Sequence, residues 1–288
     1  MTVVIGPAVP PTVHVMTWNI RRQIPALVAR RVDRWETRKP AIAALLTAEH
    51  PTIIGFQEVL PEQVHALRAV LGPAYEFVGR GRGRDHVGEA TPIFFDSTRL
   101  TLESWQQYAL SAHPDVPGSR SWGNLFPRSF VAARFFDHQT STRFLVINTH
   151  LDHLSRRSRL RSAEAINAFI QQRGIPTIVT GDFNTGQHSR THRIFTGDNV
   201  LHDTWTAAAR RLTTEWGTFP NYGHPTVGSR IDWILNTPDW DVHRVSINPC
   251  QYAGAWASDH LPVHALLTLS RNGSHHDRQF HPPSEGTQ

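Results

Sequence analysis

The stretch TIVTGDFN (177–184) is an apolar, β-branched run that ends abruptly in polar residues. Its first half favours a strand, whereas Asp182 and Asn184 are residue types that strands normally avoid. On an extended chain, side chains two residues apart face the same way, so Asp182 and Asn184 share one face. A strand that carries a carboxylate and an amide at its end predicts a polar site at the edge of a sheet.

Five further apolar stretches are bounded by polar residues in the same way, in the sequences TWN, FQE, NTHLD, RID and SDH. The residues concerned are Asn19, Gln57, Glu58, Asn148, His150, Asp152, Asp232, Asp259 and His260. Asp and Asn often begin turns, so each case alone has an ordinary explanation. Six such cases in one chain are better explained by a common site.

The residue types predict what this site holds. Several carboxylates placed close together repel one another unless a cation lies between them. Carboxylate and amide oxygens are the ligands of hard divalent cations, so Mg²⁺ or Mn²⁺ is the expected ion. A cation of this kind beside histidines and a carboxylate-held water is suited to cleavage of a phosphate ester.

The remaining pattern predicts the fold class. Strand-like runs cover 13–20, 52–59, 91–96, 130–136, 143–151, 177–183, 231–235 and 263–269, and helical patterns cover 37–50, 61–71 and 155–173. The helices are too few to alternate with every strand. We therefore expect an α/β protein of two stacked sheets with helices outside.

Composition sets broad limits on the 288-residue chain. The net charge of +5 suits a polyanionic substrate, but it is also ordinary for a soluble protein. The single cysteine, Cys250, excludes an internal disulfide and a multi-cysteine zinc site. Neither a signal peptide nor an apolar run long enough for a bilayer is seen, which predicts a cytoplasmic protein without a membrane span.

The simplest domain organisation is a single domain over 13–270. The Pro-rich segment 1–12 is expected to be a loose arm. The polar segment 271–288 is expected to be a disordered tail. The oligomeric state is not indicated by any feature of the chain.

The motifs TWNI, QE, NTHLDH, GDFN, RIDWIL and SDHLPV occur in an order and spacing that resembles the endonuclease/exonuclease/phosphatase superfamily. That superfamily includes pancreatic deoxyribonuclease, apurinic endonucleases, sphingomyelinases and inositol polyphosphate 5-phosphatases. The resemblance covers 13–270. It implies a four-layered α/β/β/α sandwich of two mixed sheets flanked by helices, with the site at one edge of the paired sheets.

The resemblance also implies how the acidic side of the site works. Glu58 would be the chief metal ligand, helped by Asn19 and Asp259. Asp182 would orient or deprotonate the attacking water. Asn184 would hold that water or a phosphate oxygen.

Histidines and one further amide complete the implied catalytic set. His260 would contact the scissile phosphate, and Asp232 would fix its ring and raise its pKa, which keeps it protonated near neutral pH. His150 and Asn148 would contact the phosphate or the leaving group.

Four residues are predicted to contact substrate. Arg21 stands where some family members carry an acidic metal ligand, which makes a second metal there doubtful and suggests a contact with phosphate. Arg84, from the Gly/Arg loop 79–84, and Arg159 could reach phosphate oxygens, although both could equally face solvent. Trp122 and also Trp256 could stack on a base or sugar, with core packing as the alternative.

The substrate is left open by the sequence. A nucleic acid, a nucleotide or a small phosphorylated metabolite would suit the motifs, and selectivity is expected in loops 79–92, 110–128 and 185–200. A zinc site at His150 and His153 is disfavoured because position 148 is Asn rather than a third histidine. A binding protein that keeps the fold without catalysis is the alternative function.

Overall fold

A computed structural model describes residues 3–25 and 27–270, so the predicted tail at 271–288 lies outside the described residues. The strands are β1 (Val13–Asn19), β2 (Ile53–Gln57), β3 (Tyr75–Val78), β4 (Ile93–Asp96), β5 (Leu100–Ala109), β6 (Ser129–Asp137), β7 (Thr142–His150), β8 (Thr177–Asp182), β9 (His202–Asp203), β10 (Arg210–Arg211), β11 (Asp232–Asn236), β12 (Trp240–Ile247) and β13 (Val263–Leu269). The helices are α1 (Trp35–Glu49), α2 (Pro61–Leu71), α3 (Arg156–Arg173), α4 (Arg190–Thr196) and α5 (Thr204–Ala207).

The strands form two mixed sheets that pack face to face. The first sheet has the order β10-β12-β13-β1-β2-β4-β3, and the second has the order β5-β6-β7-β8-β11-β9. One apolar core lies between the sheets. Two further cores join the first sheet to α1 and α2, and the second sheet to α3 and α4. The predicted four-layered α/β/β/α sandwich is therefore confirmed.

The helices begin and end where local chemistry favours it. Pro61 occupies the first position of α2, where its missing N–H costs no hydrogen bond. The hydroxyl of Ser155 caps α3 by accepting from the N–H of Ser158 at 3.1 Å. Gly174 ends α3 in the left-handed conformation, at φ 58°.

Three of the longer strands were missed by the sequence pattern. These are β3, β5 and β12. In β5 the side chains are mostly polar and at least partly exposed, because this strand lies at an edge of the second sheet. An edge strand with little apolar alternation gives a weak signal in the sequence.

A polar contact joins the two sheets beneath the site. The side chain of Asn148 on β7 accepts from Gln57 Nε2 at 2.8 Å and donates to the carbonyl of Phe56 at 2.7 Å. Gly55 allows this approach, since a Cβ there would lie 2.2 Å from Thr180 Oγ1 and 2.7 Å from Asn148 Oδ1. The spacing of the sheets at this point thus depends on a residue without a side chain.

Part of the N-terminal segment lies against α1. The backbone N–H groups of Val4, Ile5 and Gly6 donate to the Glu49 carboxylate at 2.7, 3.0 and 3.0 Å. The expectation of a loose arm over 1–12 therefore does not describe these three residues. Among the described residues, no helix combines the length and hydropathy needed to cross a membrane.

Candidate active site

Ends of strands from both sheets converge on one cavity of about 340 Å³. The first sheet contributes residues after β1, β2 and β3 and before β13. The second contributes residues from β7 and β8 and from the segment before β6. The lining residues are Arg21, Arg22, Glu58, Arg82, Glu89, Phe126, Arg128, His150, His153, Asp182, Asn184, Phe219, Asp259 and His260.

Glu58 and Asp182, one from each sheet, are linked by an amide. Nδ2 of Asn19 donates to Glu58 Oε1 at 3.1 Å and to Asp182 Oδ2 at 3.0 Å. The N–H of Arg22 donates to Glu58 Oε2 at 3.1 Å. Burial alone would raise the pKa of Glu58, but the hydrogen bonds from Arg22 and Asn19 hold it below its ordinary value.

Three residues of the cavity have left-handed backbone conformations. Arg21 has φ 56°, Glu58 has φ 61° and Asn184 has φ 51°. Non-glycine residues adopt this region at an energetic cost, and such residues cluster at functional sites. Each of the three follows directly or closely after a strand. The conformation therefore turns the chain at the point where its side chains enter the cavity.

Asp259 lies on the same side of the cavity as Glu58 and faces a cation from the protein itself. Its Oδ2 is 3.5 Å from Arg21 Nε, which is also 3.4 Å from Asp33 Oδ1. Burial raises the pKa of Asp259 above its ordinary value. Arg21 thus lies in the cavity as predicted for a substrate contact, while also compensating two carboxylates.

His260 is held between two aspartates of the second sheet. Its Nδ1 lies 2.9 Å from Asp232 Oδ2, and its Nε2 lies 3.8 Å from Asp182 Oδ2. Burial alone would lower the pKa of His260, but the charges of Asp232 and Asp182 raise it to about 10. With this pKa the ring is a cation at neutral pH and donates to Asp232.

Asp182 is a buried carboxylate whose pKa lies near neutrality. Burial and then the charge of Asp232 raise the pKa of Asp182 to about 7. The N–H of Asn184 donates to Asp182 Oδ1 at 2.9 Å, and Asn184 Nδ2 donates to the carbonyl of Leu151 at 3.0 Å. Asn184 itself lines the cavity.

His150 completes the inner part of the cavity. Its Nε2 lies 3.6 Å from Asp182 Oδ2. Burial, followed by the charges of Arg128 and Arg82, holds the pKa of His150 well below its ordinary value. His150 is therefore neutral beside a charged His260, so the two imidazoles differ in the chemistry they offer.

The donor set fits a hard divalent cation. Glu58, Asp182 and Asp259 bring carboxylate oxygens into one cavity, and Asp232 Oδ1 is buried without a hydrogen-bond partner among the described residues. Asp182, Asp232 and His260 also form a compact group of metal-capable atoms. The predicted contribution of Asn19 differs, because its Oδ1 accepts from the N–H of Arg21 at 2.9 Å and its Nδ2 faces the carboxylates. Asn19 here positions Glu58 and Asp182 rather than offering an oxygen.

Sequence comparison agrees with this geometry. The Endonuclease/Exonuclease/phosphatase family pattern matches residues 16–260, which include the cavity residues from Arg21 to His260. The chain belongs to this family. The members of the endonuclease/exonuclease/phosphatase family are hydrolytic phosphoesterases, and the present fold is that of the family.

Two solved structures of the family resemble the chain over nearly its whole length. An endonuclease/exonuclease/phosphatase family protein from Bacteroides thetaiotaomicron has a TM-score of 0.85 at 29% identity, covering 92% of this chain and 98% of that protein. A mannosyl-6-phosphatase from the same organism has a TM-score of 0.84 at 30% identity, covering 89% and 100%.

A curated relative comes from Acanthamoeba polyphaga mimivirus, an uncharacterized protein that is 30% identical over 170 residues. The matched region spans 54% of this chain and 60% of the viral protein, which is less than two thirds of that relative.

Within this endonuclease/exonuclease/phosphatase domain, Asn148 does not suit the predicted contact with phosphate. Its side chain is fully buried and its amide is used between the sheets, with further bonds to the carbonyls of Thr91 and Pro92 at 3.1 and 3.0 Å. Thr180 Oγ1 donates to Asn148 Oδ1 at 3.1 Å. The prediction was wrong because strand alternation gives the face of a residue but not its depth.

Of the residues predicted to contact substrate, Arg21 lines the cavity, whereas Arg84, Arg159, Trp122 and Trp256 do not. Arg84 is exposed on its loop. Arg159 donates to the carbonyl of Asp152 at 2.7 Å. Trp122 packs against the core beneath α3, and Trp256 packs against the core between the sheets. Solvent exposure therefore describes Arg84 and core packing describes the two tryptophans, whereas Arg159 is half-buried and bonded to the backbone.

Other residues occupy the positions that these were expected to take. From the Gly/Arg loop it is Arg82 that lines the cavity, and from loop 110–128 it is Arg128. The aromatic residues at the mouth are Phe126 and Phe219, which are 50% and 49% exposed. Loop 185–200 contributes no residue to this cavity as described, in contrast to its predicted role.

Proposed function

We propose that the protein is a Mg²⁺-dependent phosphoester hydrolase that acts on a small phosphorylated molecule. The observation that carries this proposal is the placement of Asp182. Its pKa of about 7, its bond from Asn19 and its proximity to a charged His260 put a potential base beside a potential phosphate ligand. General bases work best when their pKa lies near the working pH.

Glu58 and Asp259 would hold the cation, which could equally be Mn²⁺, because both carboxylates line the cavity on the same side as Arg21. When bound, the cation would neutralise phosphate oxygens and stabilise the leaving oxygen. Asn19 would keep Glu58 in place through its 3.1 Å hydrogen bond.

Asp182 would accept the proton of the attacking water. Each oxygen accepts one hydrogen bond, Oδ1 from the N–H of Asn184 and Oδ2 from Asn19 Nδ2, and Oδ2, which lies near both histidines, is the oxygen that would take the proton. The side-chain oxygen of Asn184 would fix the water in position. General-base assistance of this kind contributes about 10²–10⁴-fold to a rate.

His260 would donate to a non-bridging phosphate oxygen on which negative charge grows. Asp232 holds the ring at Nδ1 and keeps it protonated, which leaves Nε2 as the donor toward the cavity. His150, being neutral, would add a hydrogen bond to the same phosphate group. Preorganised donors of this kind stabilise the transition state more than the ground state.

The size of the cavity favours a small substrate. A volume of about 340 Å³ lies at the lower end of the range of small-molecule sites. The resemblance to a mannosyl-6-phosphatase over 89% of the chain supports a sugar phosphate. Phe126 and Phe219 at the mouth offer apolar ring faces on which a sugar could pack.

The test is phosphate release from sugar phosphates, nucleotides, inositol phosphates and p-nitrophenyl phosphate, with Mg²⁺, Mn²⁺ or EDTA. We expect hydrolysis that EDTA abolishes and that Mg²⁺ restores. Glu58→Gln should raise the Mg²⁺ concentration for half-maximal rate, whereas Glu49→Gln, at the far end of the fold, should not. Absence of hydrolysis for every ester with every cation would favour the alternative of a binding protein that retains the fold.

A further inference from the structure

One wall of the cavity carries more positive charge than its own carboxylates neutralise. Arg22, Arg82 and Arg128 all line the cavity. Glu89 pairs with Arg22 at 2.9 Å and with Arg82 at 2.6 Å. Asp152 lies 3.4 Å from Arg128 Nε. Three guanidinium groups therefore share two carboxylates, and one positive charge is in excess.

Two of these guanidinium groups also have unused hydrogen-bond donors. Nη1 of Arg82 and Nη1 of Arg128 are buried and have no acceptor among the residues that the structure describes. Arg128 is 2% exposed, and its Nη2 lies 2.9 Å from His153 Nδ1, so it cannot turn to solvent. Buried donors are normally satisfied, and charged ones especially so, which points to an anion as the missing partner.

This wall adjoins the reacting centre. Arg82 and Arg128 line the same cavity as His150 and Asp182. His150 Nε2 is itself 3.6 Å from Asp182 Oδ2. An anion bound by the two arginines would therefore lie beside the base and not at a remote part of the substrate.

We propose that Arg82 and Arg128 bind the non-bridging oxygens of a terminal phosphate and so select phosphomonoesters over phosphodiesters, an inference that rests on the proposed function. A monoester phosphate presents three such oxygens and, above its second pKa of about 6, a second negative charge. A diester presents two oxygens and one charge, and its second substituent would leave buried donors unpaired. The forked guanidinium group matches phosphate oxygens in geometry.

The test compares kcat/KM for p-nitrophenyl phosphate and bis-p-nitrophenyl phosphate. Arg82→Gln should lower the monoester value by about 10-fold or more and the diester value by no more than about 3-fold. Arg80→Gln is the matched control, because the Arg80 guanidinium lies over the Trp105 ring at 5.3 Å and outside the cavity. Arg128→Lys keeps the buried charge but loses the fork, and should act in the same direction. Equal losses for both esters would overturn the proposal.

A second measurement does not depend on turnover. Inorganic phosphate is titrated by calorimetry into the Mg²⁺-loaded wild type, Arg82→Gln and Arg80→Gln. We expect about 10-fold weaker binding for Arg82→Gln alone. Equal phosphate affinity in all three proteins would refute the proposal that this wall binds an anion, even if the esters are hydrolysed. If no ester is hydrolysed but phosphate binding still depends on Arg82, the proposed function would be refuted and the proposal of anion binding by this wall would not.

Discussion

Two buried histidine sites differ in charge state: His260 lies at the cavity before β13, and His264 lies within β13 beside His14 of β1. At the cavity, His260 Nδ1 lies 2.9 Å from the carboxylate of Asp232. Under α1, His14 Nε2 lies 2.9 Å from His264 Nδ1. His14 is five residues along the strand from Asn19, or about 16 Å.

Burial lowers the pKa in both places, but the partners decide the outcome. The charges of Asp232 and Asp182 raise the pKa of His260 to about 10. Burial lowers the pKa of His264 to about 3. Glu49 is near the second pair, yet its oxygens accept three backbone N–H groups from the N-terminal segment. A buried histidine is thus a charged group or a neutral one according to whether a carboxylate is hydrogen-bonded to its ring, as Asp232 is to His260 and Glu49 is not to His14.

The largest expected difference between the two sites is in activity. His260→Ala and Asp182→Ala should each lower kcat by at least about 10² while the fold survives, because they remove a charged donor and a base. His264→Gln, within β13 and outside the cavity lining, should keep its rate. Phosphate release and circular dichroism measure both properties. Near-wild-type rates in the first two variants would refute the roles assigned to them.

The next effect concerns stability against pH. His264 has a folded pKa of about 3 against 6.5 unfolded, so the unfolded chain binds more protons and stability falls as pH drops from 6.5 toward 3. The effect of His260 on stability runs in the opposite direction. Its contribution to the unfolding free energy is complete below pH 6.5 and is lost as pH rises toward 10. The total change in unfolding free energy across each pH range should amount to a few kcal/mol at most.

Urea unfolding at a series of pH values tests these signs. His264→Gln should flatten the acid side of the stability profile, and His260→Gln should flatten the alkaline side. The slopes are the informative quantity, since either variant can also change stability uniformly. If both variants flattened the same side, the contrast between the two sites would be wrong.

A smaller effect is expected from Asp232→Asn. The variant keeps a hydrogen-bond acceptor for His260 but removes the charge that contributes most to its raised pKa. The alkaline limb of the kcat/KM profile should move to lower pH, with a rate loss of about 10-fold at pH 8. A profile that keeps its alkaline limb would show that protonated His260 is not required.

The smallest expected effect is that of Glu49→Gln. The amide has one acceptor oxygen in place of the two that hold Val4, Ile5 and Gly6, so about one hydrogen bond is lost. Unfolding free energy should fall by about 1 kcal/mol, with kcat unchanged. A fall in kcat at a temperature where the variant is fully folded would mean that the two ends of β1 are coupled.

The sequence indicated which strand ends would lie together. Glu58, Asp182 and His260, at or beside the ends of apolar strands, line one cavity, and Asp232 bonds to His260 behind it, while their roles stay predictions. The four-layered fold followed from the same motifs. These predictions depended on residue order and alternation, which a single sequence records.

The remaining parts of the site depend on quantities that a sequence does not record. Arg82 and not Arg84 enters the cavity because the path of a Gly-rich loop is set by tertiary contacts such as the pairing with Glu89. Asn148 lies on the predicted face but too deep between the sheets. Phe126 and Phe219, rather than tryptophans, flank the mouth because they lie on loops without periodicity.

The absence of a side chain at Gly55 sets the thickness of the sandwich where β2 crosses β7 and β8. Glu58 follows Gly55 by three residues on one layer, and Asp182 follows Thr180 by two residues on the other. A methyl group at position 55 would push the layers apart and lengthen the distance between Glu58, the proposed metal ligand, and Asp182, the proposed base. The spacing of the sheets and the alignment of these two side chains therefore depend on the same residue. A substitution at Gly55 that the fold tolerates could still abolish activity.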